Sequence, residues 1–208
     1  MKIRHHGLLG VHRYYRTKRA RKFLKGKVLD VGCSDGALLS LYSNIVGIDT
    51  DRDKLEIAKK FGEVKEGSVL KIPFPDNSFD TVTCLSVLFS IDNRELAYKE
   101  LARVSKQRII ISDIIKKLKP IDKLSDFDYI KKIPVFEKFL LIHKEYLPSS
   151  KLIKYKGTHL NNEKHMEKIS KKWYFIIYRL LRPIMIGYFL LRGKITKDTI
   201  FLVYDKKD

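Results

Sequence analysis

A turn with two glycines constrains this sequence more than any other feature. Gly32 and Gly36 directly follow a short apolar run, VLDV at 28–31, which is typical of a buried parallel strand. Residues 37–42, after the turn, have the pattern of a helix. A strand, a glycine turn and a helix in this order present backbone N–H groups to a ligand at the edge of a sheet.

Strand and helix patterns alternate through the middle of the chain. Strands are predicted at 28–31, 45–48, 64–70, 79–85 and 108–112, and helices at 37–42, 54–61 and 93–105. Two more strands are predicted at 151–156 and 199–204. This alternation predicts an α/β fold: a Rossmann-like, mostly parallel sheet of about seven strands with flanking helices.

The charge distribution divides one domain, 1–208, into three parts. The net charge is +19, but residues 28–114 carry a net −3 and form the predicted ligand-binding core. Residues 1–27 hold ten basic residues and no acidic one, and they include a basic helix at 14–24. Residues 115–208 carry a net +12 and include a helical insertion at 163–191, before the last strand, that is interrupted at Pro183. The two basic flanks predict contact with an anionic partner.

The number of cysteines and the hydropathy of the sequence indicate in which compartment the protein functions. Cys33 and Cys84 are the only cysteines, which predicts a reducing compartment and neither a disulfide framework nor a metal site. No apolar run of about 18 residues is free of charge, so no membrane span is expected. We therefore predict that the protein is cytoplasmic. The apolar stretch at 173–191 contains arginines, which suggests as a further hypothesis that this stretch binds to a membrane surface.

Two known motifs that place a glycine turn between a strand and a helix match this sequence poorly. The dinucleotide fingerprint G-x-G-x-x-G fails, because the only glycines of this turn are Gly32 and Gly36. The hydrolase pattern G-x-S-x-G matches GCSDG at 32–36 literally and would make Ser34 a nucleophile. A hydrolase also needs an oxyanion loop of the HGGG type, which does not occur in the chain.

Four stretches within 28–114 resemble, in order, the motifs of class I S-adenosylmethionine-dependent methyltransferases, and the type 11 group most of all. They are VLDVGCSDG at 28–36, VGID at 46–49, LKIPFPDNSFDTV at 70–82, and ELARV at 100–104 before the strand at 108–112. The family often has a further glycine where Ser34 stands, and an aspartate where Ser68 stands. The resemblance implies S-adenosylmethionine as the cofactor.

The resemblance also implies a set of cofactor-binding residues. Asp49, 17 positions after Gly32, ends the second strand, where an acidic side chain can accept both ribose hydroxyls. In relatives an N-terminal helix closes over the cofactor, which suggests two residues in this chain's basic helix, Tyr14 and Arg19. The full set is Asp30, Gly32, Cys33, Ser34, Gly36, Asp49, Thr50, Ser68, Val69, Ser86, Tyr14 and Arg19.

The methyl acceptor is less constrained than the cofactor. A small or lipid-like acceptor, bound near an anionic membrane surface, is the first hypothesis. An RNA-directed methyltransferase that uses the basic flanks is an alternative, as is a non-catalytic protein that binds S-adenosylmethionine. Residues 86–90, after the fourth strand, are expected to face the methyl group, and no catalytic residue is assigned.

Overall fold

The computed structural model describes Arg13 and residues 16–114, 133–147 and 199–207. Seven strands in these ranges form one sheet with the order β3-β2-β1-β4-β5-β7-β6. The strands are β1 (Val28–Val31), β2 (Ile45–Asp49), β3 (Glu63–Glu66), β4 (Phe79–Leu85), β5 (Ser105–Ile114), β6 (Phe139–Leu147) and β7 (Thr199–Lys206).

The sheet is parallel except at one strand. The first five strands pair in parallel, whereas β7 runs antiparallel to both β5 and β6. The carboxyl ends of β1, β2, β4 and β5 therefore meet at one edge, which is where ligands bind in open α/β sheets. The predicted Rossmann-like, mostly parallel fold is confirmed.

The helices begin where side-chain caps satisfy their first N–H groups. Helix α1 (Arg52–Ala58) is capped by Asp51, which accepts the N–H of Lys54, and α2 (Arg94–Val104) is capped by Asn93, which accepts the N–H of Leu96. Both helices were expected within a few residues of these bounds. Residues 16–21 are also helical, within the predicted basic helix.

The helix predicted at 37–42 is wrong. Only a 3-10 turn forms there, Leu39–Leu41, and Leu38, which precedes it, has no side-chain cap. The segment is too short for a stable α-helix. Adjacent Leu38 and Leu39 are both buried, so the segment packs as a compact turn and not as a helix with one apolar stripe.

Strand β6 was missed because its sequence lacks the alternation of a half-buried strand. Leu140, Leu141 and Ile142 are consecutive and all exposed, at the edge position of the sheet. No strand was predicted between residues 112 and 151, the region that contains it. The strand predicted at 151–156 and the helical insertion at 163–191 lie outside the described residues.

Apolar side chains cover both faces of the sheet. One face packs Leu29, Val82, Ile109 and Ile111 against α2, through Ala97, Leu101 and Val104. The opposite face packs Val28, Ile110 and Phe201 against Ala20 of the helical residues 16–21 and against Leu55 and Ala58 of α1. The N-terminal helical residues therefore lie directly on the sheet.

Candidate functional site

Polar side chains collect at the carboxyl edge of the sheet. Asp30 is the third residue of β1, Asp49 is the last residue of β2, and Ser86 directly follows β4. The parallel register pairs Asp30 with Gly47 on one side and with Thr83 on the other. These residues from three strands thus belong to one continuous edge.

Asp49 holds the glycine turn in place. Its Oδ2 atom accepts the backbone N–H of Ser34 at 2.8 Å, and its Oδ1 atom accepts the N–H of Asp51 at 3.0 Å. A carboxylate has about four acceptor sites, so each oxygen keeps capacity for one more donor. Asp49 is partly exposed, and it can accept a pair of neighbouring hydroxyls from a ligand while it holds the turn.

The turn itself uses left-handed backbone conformations. Gly32 has φ +74°, Gly36 has φ +81° and Ser34 has φ +52°. A Cβ atom on Gly32 would lie 2.3 Å from Cγ2 of Val87, so the chain after β4 approaches this turn closely. The left-handed conformation of Ser34 gives a physical reason for the glycine that often occupies this position in the family.

Cys33 is a packing residue in this arrangement. Its side chain is buried, and a Cβ atom on Gly47 would lie 2.7 Å from its Sγ atom. Burial first, and then the charges of Asp30 and Asp49, raise the pKa of the Cys33 thiol. A thiol in such surroundings is a poor nucleophile at neutral pH.

Asp30 is a buried carboxyl group beneath the turn. It is 4% exposed, and its Oδ1 atom accepts the hydroxyl of Thr83 at 2.6 Å. Burial raises its pKa to about 6, against the opposing effects of the Thr83 hydrogen bond and of the arginines Arg13 and Arg16. Asp30 is therefore mostly charged at pH 7.5 and mostly neutral at pH 5.

Arg16 is the residue of the N-terminal helix that enters the site, and sequence reasoning missed it. Its Nη1 atom donates to Oγ of Ser86 at 2.6 Å. Burial, and next the like charge of Arg13, lower the pKa of Arg16 to about 10, while Asp113 and Asp30 act in the opposite direction. A buried cation near the turn and a buried anion beneath it are complementary to the carboxylate and ammonium groups of an amino acid.

Arg19 lies away from this edge. Its Nε atom donates to Oε2 of Glu145 on β6 at 2.5 Å, and its Nη2 atom lies 3.3 Å from Nε2 of His143. Arg13, by contrast, pairs with Asp35 of the glycine turn. Tyr14 lies outside the described residues.

The packing of the N-terminal helix explains why Arg16 contacts Ser86 and Arg19 does not. Thr17 and Ala20 are buried, whereas Arg13 and Arg16 are partly buried on the same side of the helix. These four positions follow the i, i+3, i+4, i+7 spacing of a helix face that packs against a core. Two small side chains thus mark the face that carries both arginines.

The remaining predicted residues have different surroundings. Thr50 is exposed directly after β2. Ser68 is half-buried, and its hydroxyl accepts the N–H of Leu70 at 3.2 Å. Val69 is 4% exposed and belongs to the core, so only its backbone could serve a ligand.

This geometry defines a class of protein before any comparison. A glycine turn after β1, an acid at the end of β2, the buried carboxyl group of Asp30 and the guanidinium group of Arg16 form a site for a nucleotide-type cofactor with an amino-acid moiety. Within the described ranges, no group of three or more His, Cys, Asp or Glu side chains could hold a metal ion.

Comparisons with known proteins show which family the central part of the chain resembles. A family model described as "Methyltransferase domain" matches residues 29–111, which span β1 to β5. An uncharacterized methyltransferase of Bacillus subtilis, YcgJ, is 31% identical over 93 residues, which are 39% of this chain and 37% of that protein. Residues 29–111 are thus similar to the methyltransferase domain of the class I S-adenosylmethionine-dependent methyltransferases, type 11 group.

Other relatives carry more specific names. A ubiquinone/menaquinone biosynthesis C-methyltransferase of Vibrio cholerae is 29% identical over 119 residues, 48% of this chain and 46% of that protein. A sterol 24-C-methyltransferase of Pneumocystis carinii is 32% identical over 93 residues, 38% of this chain and 25% of that protein. The chain thus spans less than half of the length of each of these relatives.

A solved structure matches the fold over nearly the whole chain. The crystal structure of the YcgJ protein superimposes with a TM-score of 0.55 at 17% identity, covering 94% of this chain and 99% of that one. The likeness supports the Rossmann-like methyltransferase fold.

Proposed function

We propose that this protein transfers the methyl group of S-adenosylmethionine to a small or lipid-like acceptor. The observation that carries the proposal is the contact of Asp49 with the N–H of Ser34, which joins the acid of β2 to the glycine turn of β1. The match of residues 29–111 to a methyltransferase domain supports the same conclusion.

The residues at the sheet edge fit this cofactor. Asp49 keeps acceptor capacity on both oxygens for the two ribose hydroxyls. Gly32 and Gly36, with φ +74° and +81°, give the turn the tight shape beside which the methionine moiety would lie. Arg16 suits the carboxylate of that moiety, and Asp30 suits its ammonium group, directly or through a water molecule.

The protein's part in the reaction is alignment. When bound, the cofactor supplies a methyl group on a positively charged sulfur, which an acceptor atom displaces. Asp49 and the glycine turn hold the ribose and the methionine moiety of the cofactor, and residues 86–90 after β4 hold the acceptor on the other side. Effective molarities of about 10⁵–10⁸ M indicate that such alignment supplies much of the rate.

The residues after β4 favour an apolar acceptor. Val87 and Phe89 are the partly exposed apolar residues of this turn, and neither carries a group that can remove a proton. The names of the relatives, a quinone-pathway and a sterol C-methyltransferase, point in the same direction. We propose a hydrophobic acceptor for this reason.

We also propose a cytoplasmic location with contact to anionic membrane surfaces. Its support is the basic composition of the flanks, residues 1–27 and 115–208. None of the helices in the described ranges is both long enough and apolar enough to cross a bilayer. Flotation of the purified chain with vesicles that contain phosphatidylglycerol, but not with pure phosphatidylcholine, tests this contact, and recovery with neither vesicle contradicts it.

A two-stage experiment tests the proposed reaction. Isothermal titration first measures binding of S-adenosylmethionine and of its demethylated product, S-adenosylhomocysteine. The full-length protein is then incubated with methyl-labelled S-adenosylmethionine and four acceptors: a short-chain demethylated naphthoquinol in detergent micelles, a sterol, total RNA and casein. We expect label in a lipid-soluble product, and about tenfold less of it with the Asp49→Ala variant when the S-adenosylmethionine concentration is well below saturation.

Other outcomes separate the alternatives. Label in RNA or in casein contradicts the proposed class of acceptor but still supports methyltransferase activity. Binding of both ligands without label in any acceptor supports a non-catalytic cofactor-binding protein. Absence of binding contradicts the proposal as a whole.

A further inference from the structure

The turn after β4 adopts a conformation that needs support. Ser86 has φ +59°, in the left-handed region that non-glycine residues rarely adopt. Such a backbone persists only where surrounding contacts hold it, and it is concentrated at functional sites. The residues that hold this turn therefore decide where an acceptor beside it would lie.

Four hydrogen bonds fix the turn from outside. The N–H of Ser86 donates to the carbonyl of Ser112 at 2.6 Å, and Nη1 of Arg16 donates to the Ser86 hydroxyl at 2.6 Å. The carbonyl of Leu88 accepts from Nε of Arg94 at 2.8 Å. The fourth bond comes from β5: the N–H of Phe89 donates to Oδ2 of Asp113 at 3.0 Å.

Asp113 is an unusual residue at this position. It lies near the carboxyl end of β5 and is 0% exposed. Burial first, and then the charge of Asp113, raise the pKa of Cys84, and the same charge opposes the lowering of the pKa of Arg16 by burial. Asp113 therefore acts on both the strand before the turn and the arginine that contacts Ser86. A carboxylate is costly to bury unless its hydrogen bonds repay desolvation, and packing alone does not explain it.

The turn and the glycine loop are in direct contact. A Cβ atom on Gly32 would lie 2.3 Å from Cγ2 of Val87, so a shift of the turn changes the space beside the cofactor loop. We infer that Asp113 is a positioning residue for methyl transfer: its carboxylate holds the Phe89 N–H and so sets the distance between acceptor and methyl group. This inference rests on the proposed function.

Variants at Asp113 separate positioning from folding. Asp113→Asn keeps an oxygen that can accept the Phe89 N–H, whereas Asp113→Ala and the bulkier Asp113→Leu remove the acceptor. Ser112→Ala is the matched control, because this neighbouring hydroxyl is equally buried and makes no hydrogen bond within the described residues.

We expect turnover to fall in the variants that lack the acceptor, while cofactor affinity stays nearly the same. In Asp113→Ala and Asp113→Leu, turnover at saturating S-adenosylmethionine falls on the order of 10²-fold, as expected for a misplacement of about 1 Å. Binding of S-adenosylhomocysteine changes by less than about threefold, because Asp49, the glycine turn and the guanidinium group of Arg16 all remain. Asp113→Asn and Ser112→Ala retain turnover within about threefold of wild type.

Amide hydrogen exchange gives a second readout that needs no acceptor. Exchange of residues 86–90 speeds up by about tenfold or more in Asp113→Ala, since a hydrogen bond to a charged acceptor is lost. Wild-type protein that binds S-adenosylhomocysteine but transfers no methyl group overturns the proposed function, and the exchange test of Asp113 still stands.

Three results overturn the inference. The first is wild-type turnover and exchange in folded Asp113→Ala. The second is an equal loss of turnover in Asp113→Asn and Asp113→Ala, which would assign the effect to the charge and not to the Phe89 hydrogen bond. The third is loss of the fold in both Asp113→Ala and Asp113→Leu by circular dichroism, which would make the role structural.

Discussion

The side chain of Asp49 accepts the backbone N–H of Ser34 at 2.8 Å, across the gap between β2 and the turn after β1. One carboxylate thereby links the two elements that would hold the ribose and the methionine moiety of the cofactor. Ser34 has φ +52°, so this hydrogen bond also compensates for an unfavourable backbone conformation. Ligand binding and the local fold depend on the same residue.

Replacing Asp49 with alanine should weaken binding of S-adenosylmethionine by about tenfold or more, because a carboxylate that accepts hydroxyl groups is lost. Isothermal titration measures the change. The matched control is Asp51→Ala, two residues on: it removes the α1 cap and should lower the free energy of unfolding by about 1 kcal/mol without changing affinity. Equal affinities for Asp49→Ala and wild type, in folded protein, would contradict the ribose assignment.

Replacing Arg16 with lysine should also weaken cofactor binding, by about tenfold. Lysine keeps the charge but has no planar group that can donate to Ser86 and to a carboxylate together. Arg19→Lys provides the control, because Arg19 pairs with Glu145 on β6 and should leave affinity within about threefold of wild type. If Arg19→Lys weakens binding and Arg16→Lys does not, the arginine predicted from the sequence is the correct one.

The contrast between these two arginines shows what the sequence could and could not predict. The glycine turn and the 17-residue spacing to Asp49 are local patterns, and they indicated both the sheet edge and the acid at the end of β2. Which arginine enters the site depends on the rotation of the N-terminal helix. The burial of Thr17 and Ala20 sets that rotation, and it is a tertiary property.

Strand β6 was unpredictable for a related reason. Its three consecutive residues Leu140, Leu141 and Ile142 are all apolar and all exposed, so they show no alternation of buried and exposed positions. An edge strand has fewer neighbours that could bury them. By contrast, the parallel strands β1, β2 and β4 are buried on both faces, and their short apolar runs predicted them within a few residues.

Replacing Ser34 with glycine should stabilise the protein slightly. The left-handed conformation of Ser34 costs about 1–2 kcal/mol for an ordinary residue, and glycine removes most of this cost at the expense of about 0.5–1 kcal/mol of chain entropy. The N–H that donates to Asp49 remains. We expect a rise of up to about 1 kcal/mol in the free energy of unfolding, measured by urea denaturation, and a lower stability for Ser34→Val. A Ser34→Gly variant that is less stable than wild type would contradict the inferred backbone strain at Ser34.

The raised pKa of Asp30 predicts a pH dependence of both stability and binding. Between pH 3.8 and about 6 the folded protein holds a proton on Asp30 that the unfolded chain has released. Stability therefore falls as the pH rises through this window, by about 3 kcal/mol from this group, and the loss is complete above pH 6. Asp30→Asn removes the effect, so its stability relative to wild type should increase from pH 4 to pH 7.

Cofactor affinity should change in the opposite direction over the same range. Only the charged form of Asp30 attracts an ammonium group, so wild-type affinity for S-adenosylmethionine should rise from pH 5 to pH 7 and level off above it. Asp30→Asn should bind more weakly at pH 7.5 and show a flat profile. All other titratable groups of the chain are the same in this variant. The same slope in both proteins would therefore assign the pH dependence to another group and contradict the role of Asp30.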